Sequence, residues 1–529
     1  MYSEDDLIWL AENGITPESL EKQLQIFTKG VEPPAIKRIA TCNDGIRVVN
    51  DAEVEMYQTA WNDYIENNPD KTTHFIPASG TANRLFRALY RFYYSEHTEP
   101  QTNIEKNFFK HLQSFAFFNE LNVICIQKEK KDIHELIEQK QYKLILEYMF
   151  FEKGANYSQL PNALFKFHTD KSMRYAAFQK YLPKKIAKYA SFEHTRTPIQ
   201  ENLLECAMVS GVKKGNVRVC FTVNKEHLNQ IAEYIEEYKK PIEKKLSVSL
   251  DVHLSVQHPS TQTVIVKDDN SFFRDKDNKI TFTYAGHGAL LENLNAIDAE
   301  IVFIKNIDNA VPDTLKKTTS SYKKMLAGIL LSTRNKIRYY VDLLDMPNLP
   351  EDKLIEIIHF VENELNVKKQ SILSLPKGVL LQYLKEKLDR PLRVCGMVKK
   401  EEEQGGEPFW VEQKDGTMSL QIVDFYQISN DQKALELFDT ATHFNPVDIV
   451  CSIVDKDGSK YDLSKFVDEE AYIIARKKKK DEWLKRLEFP GLWNGAMAHW
   501  NTIFVEVPIK TFNPVKTIND LLRYEHQNQ

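Results

Sequence analysis

Four short stretches of this chain carry residue types that could act on phosphorylated ligands. The first is Phe75-Ile-Pro-Ala-Ser-Gly-Thr-Ala-Asn-Arg-Leu85. A β-type run, Thr72 to Pro77, feeds a turn of Ala78, Ser79, Gly80, Thr81 and Ala82, and a helical pattern opens with Asn83 and Arg84. Small side chains let backbone amides approach a phosphate, a helix N-terminus adds partial positive charge, and Arg84 adds a full one. A tight strand-to-helix turn with no ligand has the same composition, so on this stretch alone the two readings stand level. The P-loop pattern GxxxxGK[ST] is absent, which disfavours ordinary kinase or ATPase chemistry.

The second stretch runs from Ala285 to Asn295, where Gly286 and Gly288 flank His287. Two glycines bring backbone close to a flat ligand, and the imidazole can donate or accept hydrogen bonds. A helix-initiating turn with a capping histidine is the plainer reading. The third, Glu300 to Asn309, is an apolar run ending in Asn306, Asp308 and Asn309. Open α/β sheets bind ligands outside the carboxyl ends of their strands, and a carboxylate such as Asp308 suits Mg²⁺. An Asx turn closing the strand competes with that reading. The fourth, Thr511 to Leu522, sets Lys516 after a Pro-Val pair, where a lysine is normally just solvated.

Positioning such residues takes alternating elements, and the chain supplies them. Thr16-Pro17 is an N-cap with a first-turn proline; Leu20, Leu24 and Phe27 share one face, and Gly30 stops the helix. After the Thr72–Pro77 run, residues 100–150 are aromatic-rich and helical. Val217 to Thr222 reads as a strand, Lys225 to Lys245 as an amphipathic helix, Ser247 to Gln257 as an alternating strand, and Glu300 to Lys305 as a buried parallel strand. The pattern predicts an α/β, Rossmann-like fold with a mainly parallel mixed central sheet. An N-terminal helical segment (1–68) precedes a nucleotide-binding part (69–312), a helical insertion (313–390), and a C-terminal part (391–529) that completes the α/β domain. The basic run Arg476 to Lys480 reads as a solvated turn.

Composition narrows the partners. The chain has 529 residues, 42% hydrophobic and 27% charged, with 70 basic against 75 acidic residues. It is long enough for a large core and lacks the basic excess of a nucleic-acid surface. The six cysteines are scattered with no CxxC, so reduced, mostly buried thiols are expected. Met1 to Leu10 lacks a basic segment followed by an apolar run, and no stretch reaches the roughly 20 apolar residues of a membrane span. A cytoplasmic protein with neither nucleic-acid nor membrane partners is expected.

Taken in order, the stretches resemble the UDP-glucose and UDP-N-acetylhexosamine pyrophosphorylases from Gly80 to Leu522. PASGTANRL stands where that superfamily's loop reads approximately LxxGxGTRxG. Gln257 in SVQHPS looks like the family's glutamine before a proline, which reads uracil, and AGHGAL resembles its P-G-H-G segment beside the base. IKNIDN, ending at Asn309, resembles the N-x-D-N whose aspartate binds the metal. Gly405-Gly406, Asp415-Gly416 and Ile422 to Gln427 look like its GG…G…(L/I)E-x-x-Q run, and Phe444-Asn445 like the F-N-x-N strand whose asparagine contacts the sugar. Arg486-Leu-Glu488 with Gly495-Ala496 fits L-E-x-x-x-G-A-A, and Phe512 to Leu522 is close to F-x-P-V-K-x-x-S-D-L-L, whose lysine binds phosphate. Over its full length the chain resembles the bacterial family described as domain of unknown function 4301, through GHGAL, HFNPVD and PGLWNGAM, a match that brings no activity with it.

The resemblance implies a nucleotidyltransferase joining a nucleoside triphosphate, UTP first, to a sugar 1-phosphate with release of pyrophosphate. Arg84 and Lys516 would clamp phosphates and Asp308 would hold Mg²⁺. Ser79, Gly80, Thr81, Ala82, Asn83, Gln257, Gly286 and His287 would bind the nucleotide, and Asp424 and Asn445 the sugar. The chain departs from the pattern at Ala82, at Asp424 in place of Glu, and at Asn162, where a lysine is expected. Those departures keep open a catalytically silent nucleotide-sugar sensor or scaffold. A glycosyltransferase is disfavoured because Asn306-Ile-Asp308 offers one carboxylate where a D-x-D would offer two.

Overall fold

The structure, a computed structural model, describes residues 2–80, 84–174, 193–212, 215–284, 286–401, 405–479 and 482–527. It is a mixed α/β protein with a mainly parallel central sheet. Two compact units divide the chain. The first comprises residues 1–75, 255–304 and 322–508; the second comprises 76–254, 305–321 and 509–529.

The first unit holds the strands Ile46–Arg47, Asn501–Glu506, Leu392–Lys399 and Asp448–Ser452 and, up to Ile304 and Phe75, the strands Ile301–Lys305 and Thr72–Pro77, adjacent in that order. Pairing is parallel between the first three and again between Ile301–Lys305 and Thr72–Pro77; Leu392–Lys399 meets Asp448–Ser452 antiparallel. Ile301–Lys305 is buried at every position, as expected of a central strand covered on both faces. Two antiparallel sheets accompany it. One joins Ile36–Ile39, Glu407–Glu412, Thr417–Val423 and Lys368–Lys369; the other joins Ile473–Lys479, Glu482–Glu488, Thr263–Lys267 and Phe282–Thr283.

The second unit pairs Asn216–Val223 with Ser249–Val256 and packs the helix Pro198–Ser210, buried at every position but Met208, and the helix Leu228–Leu246 around Ile76, Ala78 and Ile307. A separate aromatic core, with Phe86, Phe108, Phe117, Phe150 and Phe165 fully buried, fastens the short helices between Arg87 and Phe150. Aromatic rings here meet edge-on, as in Phe86 against Phe165 at 5.2 Å and 84°, or stack, as in Phe115 against Phe117 at 5.1 Å and 19°.

Most expected elements appear within a residue or two, including the Thr16-capped helix Pro17–Lys29 stopped by Gly30 at φ 81°. The helical run over 313–390 consists of Asp313–Leu344, Glu351–Asn363 and Lys377–Leu388, with the two-residue strand Lys368–Lys369 between the last two. The basic run near Arg476 is solvated but is no turn. Its described residues lie in the strand Ile473–Lys479, which among the described residues pairs only with Glu482–Glu488 and so forms a sheet edge. Lysines there suit an exposed edge, because charge blocks pairing with another chain. Among the described residues no helix is long and apolar enough to cross a membrane.

Candidate functional site

Register between two strands sets the first group of residues. Ile301 to Ile304 pair with Thr72 to Phe75, so residues 76–80 and 305–309 leave the same carboxyl edge. In the second unit the turn after Pro77 is pinned by backbone and side chain alike. Ala78 donates to Thr222 (2.8 Å), Asn224 Nδ2 donates to the Ser79 carbonyl (2.9 Å), and the Asn162 amide donates to the Gly80 carbonyl (3.0 Å). A Cβ on Gly80 would meet nothing within 4 Å among the described residues. Thr81, Ala82 and Asn83 lie outside the described residues.

The helix expected from Asn83 begins later, at Arg87. Phe86, at its N-cap, is fully buried against Phe150 and Phe165. Anchoring that ring outweighs an earlier helical start, leaving exposed Arg84 in a single turn ahead of the helix.

Asp308 follows the strand at the same edge. Burial pushes its carboxyl above the ordinary aspartate value, while the positive charges of Lys516, Arg84 and Lys305 work against that rise. Two backbone bonds bring these groups together. Val515 donates to the Asp308 carbonyl (3.0 Å), and Ile518 donates to the Leu85 carbonyl (3.1 Å), so Lys516 is tethered between Asp308 and Arg84's neighbour. Asn309 fixes the same segment by donating to the Thr511 carbonyl (3.3 Å) and accepting from the Asn513 amide (2.9 Å). The Asp520 carboxylate accepts from the Lys516 and Thr517 amides, at 2.8 and 2.7 Å, and holds the exposed turn that carries the lysine.

Beneath this group lies a layer of buried charge that sequence reasoning missed. Lys305 pairs with Glu205 at 2.7 Å, both nearly inaccessible. Glu201, one turn earlier on the helix Pro198–Ser210, meets His168 (2.8 Å), Lys316 and Arg196. Burial opposes its ionisation, but Lys316, His168 and Arg196 prevail and hold its carboxyl well below the usual range. Carboxylates at i and i+4 on a helix buried on all sides were the available signal, since a buried charge must be paired. Lys166, four residues after Asn162, where a lysine was expected, pairs with Glu120 at 2.7 Å. Asn162 Oδ1 is buried with no hydrogen-bond partner among the described residues.

A second group lies in the first unit. His287 stacks on Trp493, ring centroids 3.8 Å apart and planes within 7°, and its Nδ1 accepts the Leu492 amide at 2.8 Å. Burial pushes its pKa down to about 4, so the ring is neutral and, with Nδ1 accepting, its proton sits on Nε2. Both flanking glycines are demanded by this packing. Gly286 adopts φ +72°, and a Cβ on Gly288 would lie 2.1 Å from the Pro490 carbonyl oxygen. Arg393, fully buried in the central sheet, donates to the Trp493 carbonyl (2.6 Å) and to Thr502 Oγ1 (2.9 Å) and so holds the stacked segment in place.

Asn494 links His287's partner segment to the expected sugar residues. Its Nδ2 donates to Gln427 Oε1 (3.0 Å), which also accepts the Asp424 amide (2.9 Å), while its own Oδ1 is buried with no partner among the described residues. Asp424 caps the helix Phe425–Ile428, its carboxyl raised by burial. Asn445 is almost wholly occupied by the backbone, donating to Gly396 (2.8 Å) and accepting from Val447 (3.1 Å), where Val447 takes φ +58°. Gln257 donates to Thr261 Oγ1 at 3.2 Å within its own turn. Asn494 was not foreseen, because an asparagine between Trp493 and Gly495 carries no spacing signal of its own.

Among solved structures the chain is similar to a uridine diphosphate N-acetylglucosamine pyrophosphorylase of Trypanosoma brucei, at 12% identity and a TM-score of 0.46, covering 98% of this chain and 79% of that one. It is also similar to a UDP-glucose pyrophosphorylase of Leishmania major, at 11% identity and a TM-score of 0.41, covering 98% and 77%. No curated protein sequence matches it. Residues 3–191 and 174–527 match the model described as Domain of unknown function (DUF4301), and the chain belongs to that family.

Proposed function

We propose that the chain is a nucleotidyltransferase that joins a nucleoside triphosphate, UTP first among them, to a sugar 1-phosphate and releases pyrophosphate. The observation that carries this reading is the placement of Lys516, Arg84 and Lys305 around Asp308 at the carboxyl edge of the central strands. The reaction joins two polyanions, so positioning and charge neutralisation are the main demands on the protein. The attacking phosphate oxygen is already ionised and needs no general base.

In this reading Arg84 and Lys516 neutralise the triphosphate, with Lys516 on the phosphoryl group under attack. Lys305 is already matched by Glu205 and acts through the field at Asp308. Asp308 would hold Mg²⁺, which when bound would screen the phosphate charges. With Lys305 matched by Glu205, Arg84 and Lys516 still leave a positive field around the one carboxylate of Asp308, so the donor set fits a metal that arrives on the triphosphate's own oxygens. Ser79 and Gly80 line the phosphate turn. Gln257, Gly286 and His287 are assigned to the base, with His287 Nε2–H as a donor, and Asp424 and Asn445 to the sugar side.

The test is pyrophosphate release with Mg²⁺, offering UTP and the other triphosphates against a panel of sugar 1-phosphates, with Lys516→Ala as the control. Turnover abolished by Lys516→Ala supports the reading and names the substrates. Absence of turnover across the panel overturns it; UDP-sugar binding without turnover would then leave a sensor.

A further inference from the structure

Three residues distant in sequence, none of them assigned a role above, converge in the first unit. Cys42 sits in the tight turn Thr41–Gly45, which leads into the strand Ile46–Arg47. That turn is rigid: Gly45 takes φ +104°, and a Cβ there would lie 2.8 Å from Leu420 and 3.2 Å from the Trp410 indole nitrogen. Glu506 ends the strand Asn501–Glu506 opposite Met397, and His443 stands opposite Lys399 on the other side of Leu392–Lys399. The strand pairings bring Glu506 and His443 to one end of Leu392–Lys399, and the turn ahead of Ile46–Arg47, closed by the Ile46 amide donating to the Thr41 carbonyl (2.9 Å), sets Cys42 against them.

Their ligand atoms meet at a point. Cys42 Sγ lies 3.7 Å from His443 Nε2, Glu506 Oε1 lies 3.3 Å from the same nitrogen, and all three atoms fall within 4.8 Å of one another. A tetrahedral zinc ion, with sulfur at about 2.3 Å and nitrogen or oxygen at about 2.05 Å, sets sulfur and nitrogen about 3.6 Å apart and nitrogen and oxygen about 3.3 Å apart. The other ring nitrogen, Nδ1, is bonded to Thr442 Oγ1 at 2.8 Å, the outer contact that fixes a ligating imidazole's orientation.

A cysteine–histidine–glutamate catalytic triad has a different geometry. There the thiol and the carboxylate engage opposite ring nitrogens. Here both face Nε2, and the far nitrogen is taken by a hydroxyl. We propose that Cys42, His443 and Glu506 form a binding site for a thiophilic divalent metal ion of the zinc class, with three protein ligands and a fourth position open. Soft sulfur with imidazole selects such an ion over Mg²⁺. His443 is two residues from Asn445, so a bound ion would brace the segment assigned to the sugar side.

The test uses the full chain, stripped with a chelator and titrated with Zn²⁺ alone and with Co²⁺ alone. One equivalent of zinc is expected, together with a thiolate-to-cobalt charge-transfer band and at least a tenfold slowing by zinc of Cys42's reaction with a thiol reagent. Cys42 is the one partly exposed cysteine, the other five being buried, so the reagent reads it selectively. Cys42→Ser and His443→Gln should each lose the stoichiometric uptake while keeping the metal-free melting temperature of the parent. Zinc uptake equal in parent and both variants, or a cobalt spectrum without the thiolate band, would overturn the proposal. So would a parent that takes up no zinc, leaving only a His443–Glu506 hydrogen bond.

Discussion

The amide of Val515 donates to the carbonyl of Asp308 at 3.0 Å, so the residue preceding Lys516 is bonded to the residue whose carboxyl Lys516 influences. A lysine on an exposed turn is thereby given a fixed origin by its backbone, and its ammonium also lies over the Phe512 ring, 5.8 Å from the centroid. Lys516→Met should accordingly leave the fold untouched and remove a charge from the phosphates. Turnover in the pyrophosphate-release assay should fall by roughly 10²–10³, the cost of deleting one preorganised electrostatic contact. The melting temperature should stay within about 1 °C, since exposed substitutions are close to neutral. A large fall in melting temperature would make Lys516 structural.

Asp308 carries the opposite balance. Burial raises its folded pKa above the unfolded value, so its contribution to stability is present below the unfolded pKa and is lost as pH rises through the folded one. At neutral pH the ionised carboxylate is therefore a burden on the fold. Asp308→Asn should raise the melting temperature at pH 7 while reducing Mg²⁺-dependent turnover by about 100-fold or more. Thermal scans at pH 7 alongside the activity assay check both halves, and a destabilised variant contradicts the sign.

What could be read in advance follows from how local each signal is. The Thr16-Pro17 start, the Gly30 stop and the apolar run Ile301–Lys305 are written in adjacent residues, and the structure keeps them. The Gly286-His287-Gly288 turn was legible as a turn, but its reason was not. That reason is Trp493, some two hundred residues away, against which the ring stacks. The helix start at Arg87 was misplaced because the anchor of Phe86 is a set of distant aromatic rings. Likewise Glu201 and Glu205 show as charges on a helix, while their partners His168, Lys316 and Lys305 come from three other segments. Among candidate site residues, residue type and order were legible in the sequence, whereas occupancy by backbone was not.

Asn445 makes that distinction measurable. Its carboxamide satisfies the buried Gly396 carbonyl and the Val447 amide, the latter in a left-handed conformation that a β-branched residue rarely takes. Asn445→Ala should cost ~2–3 kcal/mol of stability through two buried hydrogen bonds. Chemical denaturation should show that loss in the absence of any substrate. A sugar contact with no structural role would instead change KM and leave the denaturation midpoint unmoved.

His287 supplies the pH-dependent case. Its folded pKa is pushed down to about 4 by burial against an unfolded value near 6.5. The unfolded chain therefore binds the extra proton first as the solution is acidified. The sign follows: stability from the neutral ring is intact above about pH 6.5 and drains away as pH falls toward 4, by up to ~3 kcal/mol. His287→Phe keeps a flat ring against Trp493 but cannot titrate, and it leaves the Leu492 amide without its acceptor. The variant should be less stable than the parent at pH 7.5, by ~1–2 kcal/mol for the orphaned amide. That gap should narrow by pH 5, because only the parent takes up the destabilising proton on unfolding. Denaturation midpoints of both proteins at the two pH values measure the gap directly, and a gap that holds constant or widens toward pH 5 would show that the imidazole is not held neutral by its burial.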